Sequence, residues 1–368
     1  MTTTAGSRAL VRTASGLHLR HNPTDRGGDA GIVHRVLRVG VCGTDLQIQR
    51  RVREDRAAVL GHEGIAVRLA GAGRECEIFN PVDPRDQDVI LGHSYDGILQ
   101  DVITGVPARC RVPARGDLPV DLGPLVEPSA TAVYAWELMH PHLPPGASVA
   151  IFGGGSAALL MAMLGEDLGH RIRLIHPRRE RREFLTGLGV LGAAEVTDSA
   201  PRDTADAAVI CLPREAAHHA IAQATTALTS DGILDLFGGI PSGAPYPAIP
   251  HLELAAIRRS NACGQSHGPT HVDAITDSGK RLRITGHRGT SAAHLHTAQQ
   301  HLTDEPGRYG KLVTQVISLH EAALWIPAMA RRDRLLGEQV KVVVDLLMPH
   351  RTRTVDLDTT VSDHLQGR

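Results

Sequence analysis

Much that would sort this chain quickly is missing from it. Five cysteines in 368 residues (Cys42, Cys76, Cys110, Cys211 and Cys263) are odd in number and widely scattered, which argues against a disulfide framework and for a reducing interior. Lysine is rare, and a formal charge of −1 gives no overall pull toward nucleic acid or anionic lipid, so any anion must be recognised locally. Met1 to Val11 carries no apolar core of signal-peptide length, and the chain shows no cleavage pattern or lipidation motif, which predicts a cytoplasmic protein. No internal repeat, low-complexity tract or long linker interrupts it. One uncharged run, residues 147–165, has the length of a membrane span, but three consecutive glycines in its middle read instead as a buried strand, a turn and a helix.

What is present divides by hydrophobic period. To about Pro128 the pattern is short β-like runs (residues 9–12, 16–20 and 31–39) split by turn material at 22–28, 71–73, 81–84 and 113–116. From Glu127 to Met139 the period becomes helical, with Ala130, Val133, Tyr134 and Leu138 on one stripe. From Ala147 to Phe237 apolar strands and helices alternate, the mark of a parallel sheet with crossover helices. Strands at 281–285, 312–318 and 339–345 and helices at 292–302 and 319–331 follow, and residues 350–368 lack periodicity and are expected to fray.

The central stretch runs from an apolar strand into Gly153-Gly154-Gly155 and on into an apolar helix. Gly153, Gly155 and Ala158 satisfy the G-x-G-x-x-G/A spacing, in which the glycines allow a tight turn and close approach to a pyrophosphate, and the third small residue allows helix and strand to pack. A plain strand-to-helix turn would use glycine as well. About twenty residues on, where an NAD site offers a carboxylate to the ribose, the chain has His176 followed by Arg178, Arg179, Arg181 and Arg182. Guanidinium groups suit a 2′-phosphate, so NADP is expected, with NAD possible; the alternative is a solvated arginine face.

Cys42 and His62 lie in glycine-flanked loops, and sulfur with imidazole suits zinc. Catalytic zinc keeps three protein ligands and an open position, and Glu127 is the third candidate. Each has a plain alternative: a core thiol, a hydrogen-bonded loop residue and a helix-start acid.

Cys42-Gly-Thr-Asp45, Gly61-His-Glu63, Glu127-Pro128 opening a small-residue helix, and then the glycine turn, in this order and at these intervals, resemble the zinc-dependent medium-chain dehydrogenase/reductase family in its alcohol, sorbitol and threonine dehydrogenase branch. The similarity continues through residues 311–314, 318–322 and 341–345. It implies an α/β fold in which a Rossmann doubly wound parallel sheet (141–287) sits between two parts of a β-rich, GroES-like catalytic domain (1–140 and 288–350), with a tail at 351–368 and the active site in the cleft. It implies that Cys42, His62 and Glu127 ligate one catalytic zinc, that Glu63 approaches the metal when ligands exchange, that Asp45 orients His62, and that Thr44 relays the substrate proton. A small-molecule alcohol or carbonyl is the implied partner, in a homodimer or homotetramer, with no nucleic acid and no membrane.

The expected activity is hydride transfer between NADP(H) and an alcohol or carbonyl. A polyol, cyclitol or sugar-like biosynthetic intermediate is the expected substrate, from the Glu127 ligand type and the polar stretch at 74–96. That stretch stands where many relatives carry four cysteines; Cys76 is alone in it, so no structural zinc is expected. His93, Ser94, Tyr95 and Asp96 either line the substrate cleft or form a structural loop. Gln47 replaces a frequent relay histidine, and residues 258–280 form a longer stretch expected at the cofactor cleft or a dimer edge. His287, His294, His296 and His301 are read as a solvated surface. Two other readings stand beside this one: a zinc-free NADPH-dependent enone or quinone reductase of the same superfamily, and a non-catalytic NADPH-binding regulatory protein.

Overall fold

The alternating strands and helices between residues 148 and 285 form, as predicted, a largely parallel sheet. In the computed structural model, which describes residues 7–22, 32–69, 74–349 and 352–366, the chain divides into two units, Met1–Pro128 with Ser291–Arg368 and Ser129–Thr290. The turn material at 23–28 and 71–73 lies outside the described residues.

The second unit holds seven strands in the order Glu195–Thr197, Arg171–Ile175, Ser148–Phe152, Ala205–Ile210, Leu228–Asp235, Arg281–Thr285 and Val272–Ile275. The first six are parallel and numbered along the chain run 3-2-1-4-5-6, the doubly wound order whose reversal point lies beside the first strand. Val149, Ile151, Leu174, Val209 and Leu234 are fully buried, because helices cover both faces of a parallel sheet. The long stretch at 258–280 supplies the seventh strand, antiparallel to Arg281–Thr285. Trp136 Nε1 donates to the Met161 carbonyl (3.0 Å), which ties the helix Val126–Met139 to the helix Ser156–Asp167. The run at 147–165 is thus a strand, a turn and a helix, and no helix among the described residues is long and apolar enough to cross a membrane.

In the first unit a mostly antiparallel sheet runs Val313–Ser318, Lys341–Asp345, Val33–Gly40, Glu63–Arg68, Glu75–Phe79 and Arg111–Pro113. The late strand Lys341–Asp345 pairs with Val33–Gly40, which pairs with Glu63–Arg68. Residues far apart in sequence thereby meet at the ends of adjacent strands. Leu10, Val36, Val39, Leu60, Ile98 and Val344 fill the core beneath.

Two expectations are corrected. Residues 352–366 do not fray, the rest of the 350–368 expectation lying outside the described residues: Arg353 donates to Asp121 (2.8 Å) and Asp345 (3.1 Å), its backbone pairs with Val316, and Val361–Gln366 is helical. Ion pairs and backbone bonds hold a segment that has no apolar period to reveal it. His287 and His294, read as solvated, are 1% and 4% exposed. The His287 ring packs edge-on against Tyr134 and Phe237, and His294 closes a capping box with Ser291. Helical spacing shows that residues share a face, and only packing decides which face is covered. His296 is exposed and His301 half-buried.

Candidate active site: a donor triplet and a glycine turn

Cys42 caps the helix Gly43–Gln49, and its sulfur accepts from the Thr44 N–H (3.4 Å). Asp45 sits three residues on, so one carboxylate oxygen reaches back to the Cys42 N–H (2.9 Å). The other accepts from the Gly61 N–H (3.2 Å), so this buried side chain clamps both loops. It stands 3.7 Å from His62 Nδ1, an ion-pair distance; its hydrogen bonds go to backbone. Gly61 has φ +90 and a Cβ there would meet Leu99 at 2.9 Å, and Gly64 has the Arg38 carbonyl at 2.6 Å. The glycines beside His62 are there because the loop threads between backbones.

Sulfur, imidazole nitrogen and carboxylate oxygen of Cys42, His62 and Glu63 all lie within 4.8 Å of one another. His62 and Glu63 are 6% and 3% exposed. Glu63 is ion-paired with Lys341, itself 1% exposed, from the late strand on the far side of Val33–Gly40. Burial opposes charge on His62, but the neighbouring Cys42, Asp45 and Glu63 outweigh it and push its pKa up to about 10. Burial, then Glu63, raises the Cys42 thiol. Burial pulls Lys341 down, but Glu63 and Cys42 more than restore it, and Glu127 adds to them. Among the described residues this is a concentrated set of mutually dependent charges, and it contains the donor chemistry a soft divalent cation requires. The buried His62 Nδ1, without a hydrogen-bond partner, fits that use.

Glu127, in the first turn of the helix Val126–Met139, is half-buried and is not one of the three donors within that radius. The carboxylate within that radius is Glu63, which the backbone delivers directly beside His62. Thr44 is half-buried next to Cys42; Gln47 is buried, its amide on the Gly43 carbonyl (3.5 Å). The sequence reasoning passed over one neighbour and left another between two readings. Lys341 was visible as a cation opening the run Lys341–Asp345, whose three central residues are valine, and a charge at the edge of such a run is the signal for a buried partner. His93, read as lining the cleft or belonging to a structural loop, packs its ring edge-on against His62 (4.8 Å, 85°) and approaches Arg53. Its loop neighbours are structural: Ser94 accepts from the Ile90 N–H, and Asp96 accepts from the N–H groups of Ala58 and Val59.

In the second unit the glycine turn follows the strand Ser148–Phe152. Gly153 has φ +147, and a Cβ on it would lie 2.6 Å from the Cys211 carbonyl and 3.2 Å from the Cβ of Ala158. The small residue at 158 therefore packs on the first glycine, as the spacing requires. Gly154 is closed by His176 at 2.8 Å, whereas a Cβ at Gly155 would meet nothing within 4 Å. Gly155 caps the helix Ser156–Asp167 with no side-chain cap bond, so backbone N–H groups and the positive helix end face open space there. These features fit a dinucleotide diphosphate. His176 lies at the end of the second strand and receives the Arg178 N–H on Nδ1 (3.2 Å); Arg178 caps the helix Arg179–Gly187, and Arg179 pairs with Glu183 (2.7 Å).

No protein-family model matches the chain. It is 28% identical over 178 residues to a 2-dehydro-3-deoxy-L-galactonate 5-dehydrogenase of Pseudoalteromonas atlantica, covering 41% of this chain and 51% of the relative. It is 28% identical over 228 residues to an L-threonine 3-dehydrogenase of Streptomyces avermitilis, covering 53% and 65%. The chain thus spans between half and two thirds of the length of the curated relatives it matches. A solved structure from Sinorhizobium meliloti, described as a zinc-binding dehydrogenase bound to NADP, superposes with a TM-score of 0.69 at 18% identity, over 93% of this chain and 100% of the other. The fold is shared along almost the whole chain, and the resemblance read from the motifs is borne out.

Proposed function

We propose that this chain, whose fold is that of the zinc-dependent medium-chain dehydrogenase/reductases, is an NADP(H)-dependent oxidoreductase acting on an alcohol or carbonyl with a catalytic zinc. The Cys42–His62–Glu63 donor triplet, its imidazole and carboxylate buried and its thiol half-buried, carries the reading. Cys42 and His62 hold the metal, and the third place belongs to a carboxylate: Glu63 in the described geometry, Glu127 by the family resemblance. When bound, zinc supplies Lewis-acid polarisation of the substrate oxygen and the nicotinamide supplies or takes the hydride. The chain's own residues do the rest. The N–H groups at Gly155 and the first helical turn bind the diphosphate, and Arg178 meets the ribose phosphate. Asp45 fixes the loop that carries His62, and Thr44 relays the proton of the substrate hydroxyl, its Oγ1 taking that proton as it passes its own on to solvent. The Met1–Pro128 and Ser291–Arg368 segments make the catalytic domain and Ser129–Thr290 the cofactor domain.

A polyol, cyclitol or sugar-like substrate is supported by the sugar-acid dehydrogenase among the relatives. The decisive experiment is a screen of alcohols and carbonyls followed by nicotinamide absorbance with both cofactors, alongside metal analysis. Zinc at one equivalent in the wild type, lost in Cys42→Ala together with turnover, supports the reading. Full turnover without zinc would favour the enone or quinone reductase instead.

A further inference from the structure

Four arginines follow His176, and the structure gives three of them different tasks. Arg179 pairs with Glu183 on an exposed helix face, and Arg182 donates to the carbonyls of His176 (3.0 Å) and Pro177 (2.8 Å). Arg181 turns inward: at 7% exposure, its Nε (3.0 Å) and Nη2 (2.5 Å) both donate to the carbonyl of Gly154, 27 residues earlier. Its guanidinium also lies 5.1 Å from the centre of the Phe184 ring.

In a planar trans peptide the carbonyl of one residue and the N–H of the next point in opposite directions. Two donors gripping the Gly154 oxygen therefore set the direction of the Gly155 N–H. That N–H belongs to the cap of a 12-residue helix and borders the open space of the turn. Consecutive glycines have wide torsional freedom, so a turn built from them needs restraint from outside. Gly153 is restrained by Cys211 and Ala158, and Gly154 by His176 and Arg181.

We propose that Arg181 is a positioning residue for the dinucleotide: by holding the Gly154 carbonyl it aims the Gly155 N–H at the diphosphate, and it makes no contact with the ribose 2′-phosphate. Discrimination between NADPH and NADH then rests on Arg178. The proposal rests on the dinucleotide reading above.

The test measures the affinity of the full chain for NADPH, NADH and ADP-ribose by titration calorimetry, at a temperature where each variant is folded. Arg181→Met is expected to weaken all three by a common factor of about 10, the value of one misdirected hydrogen bond to a charged group. Arg181→Lys keeps a donor and is expected to lose less, again equally for all three, and it serves if the Met variant does not fold. Arg178→Ala is expected to weaken NADPH alone. Wild-type affinities in both Arg181 variants, or a loss confined to NADPH, would overturn the proposal. A wild-type chain that binds none of the three would instead overturn the dinucleotide reading beneath it.

Discussion

Lys341 is a buried cation at the start of an apolar strand, and its stability depends on Glu63, two strands away across Val33–Gly40. Removing one partner of a buried ion pair leaves an uncompensated charge and costs roughly 3–5 kcal/mol, whereas removing both is far milder. Lys341→Met is therefore expected to lower the urea midpoint of metal-free protein sharply, and Lys341→Met with Glu63→Gln to recover much of the loss. Equal stability of the single and double variants would refute the coupling. Asp235 is the opposite case. Fully buried with no hydrogen-bond partner on either oxygen, it has its pKa raised by burial to about 8. The folded state thus holds a proton that the unfolded chain gives up near pH 4. Its contribution is most favourable below that value and is lost as pH rises toward 8. Asp235→Asn should raise the melting temperature at pH 8 and show a much smaller gain at pH 5; an equal gain at both would show that ionisation is not involved.

At the scale of elements, the strand–turn–helix from 148 to 167 was legible because its determinants are local: an apolar strand, three glycines and an apolar helix. Gly153→Ala would place a methyl 2.6 Å from the Cys211 carbonyl at a positive φ, so it is expected to cost about 1–3 kcal/mol in thermal unfolding and to weaken dinucleotide binding. Unchanged binding would separate this turn from the cofactor. The segment 352–366 was not legible, since charge rather than apolar period holds it. Arg353 and Arg38 both bind Asp121 and Asp345. Burial acts against the Asp121 carboxylate, but Arg353 and Arg38 outweigh it and keep its pKa below the usual range. Stability from this group is present above about pH 4 and is lost as pH falls through its depressed value. Asp121→Asn should flatten the acid limb of a stability–pH profile, while an unaltered acid limb would rule the network out as its cause.

For the molecule as a whole, a bound metal adds its affinity to folding stability. A chelator is expected to lower the melting temperature of the wild type and leave Cys42→Ser unmoved; an equal shift in both would place the metal elsewhere. The α/β class, the parallel sheet and the spacing of the glycine turn were all determined by the sequence alone, because strand, helix and turn preferences act between neighbours. So was the choice of Cys42 and His62 as a sulfur–imidazole pair, whose loops are marked by their own glycines and whose donor atoms the fold brings within 4.8 Å of each other. Tertiary structure alone decided that Glu63 is ion-paired in the interior, since a late strand carries Lys341 to it across 278 residues, and that Glu127 lies outside the close donor triplet. It also decided that Arg181 faces the Gly154 carbonyl and that His287 and His294 are covered. A helical repeat assigns residues to a shared face, but burial, ion pairing and the direction of a side chain depend on contacts that form only once distant segments have packed.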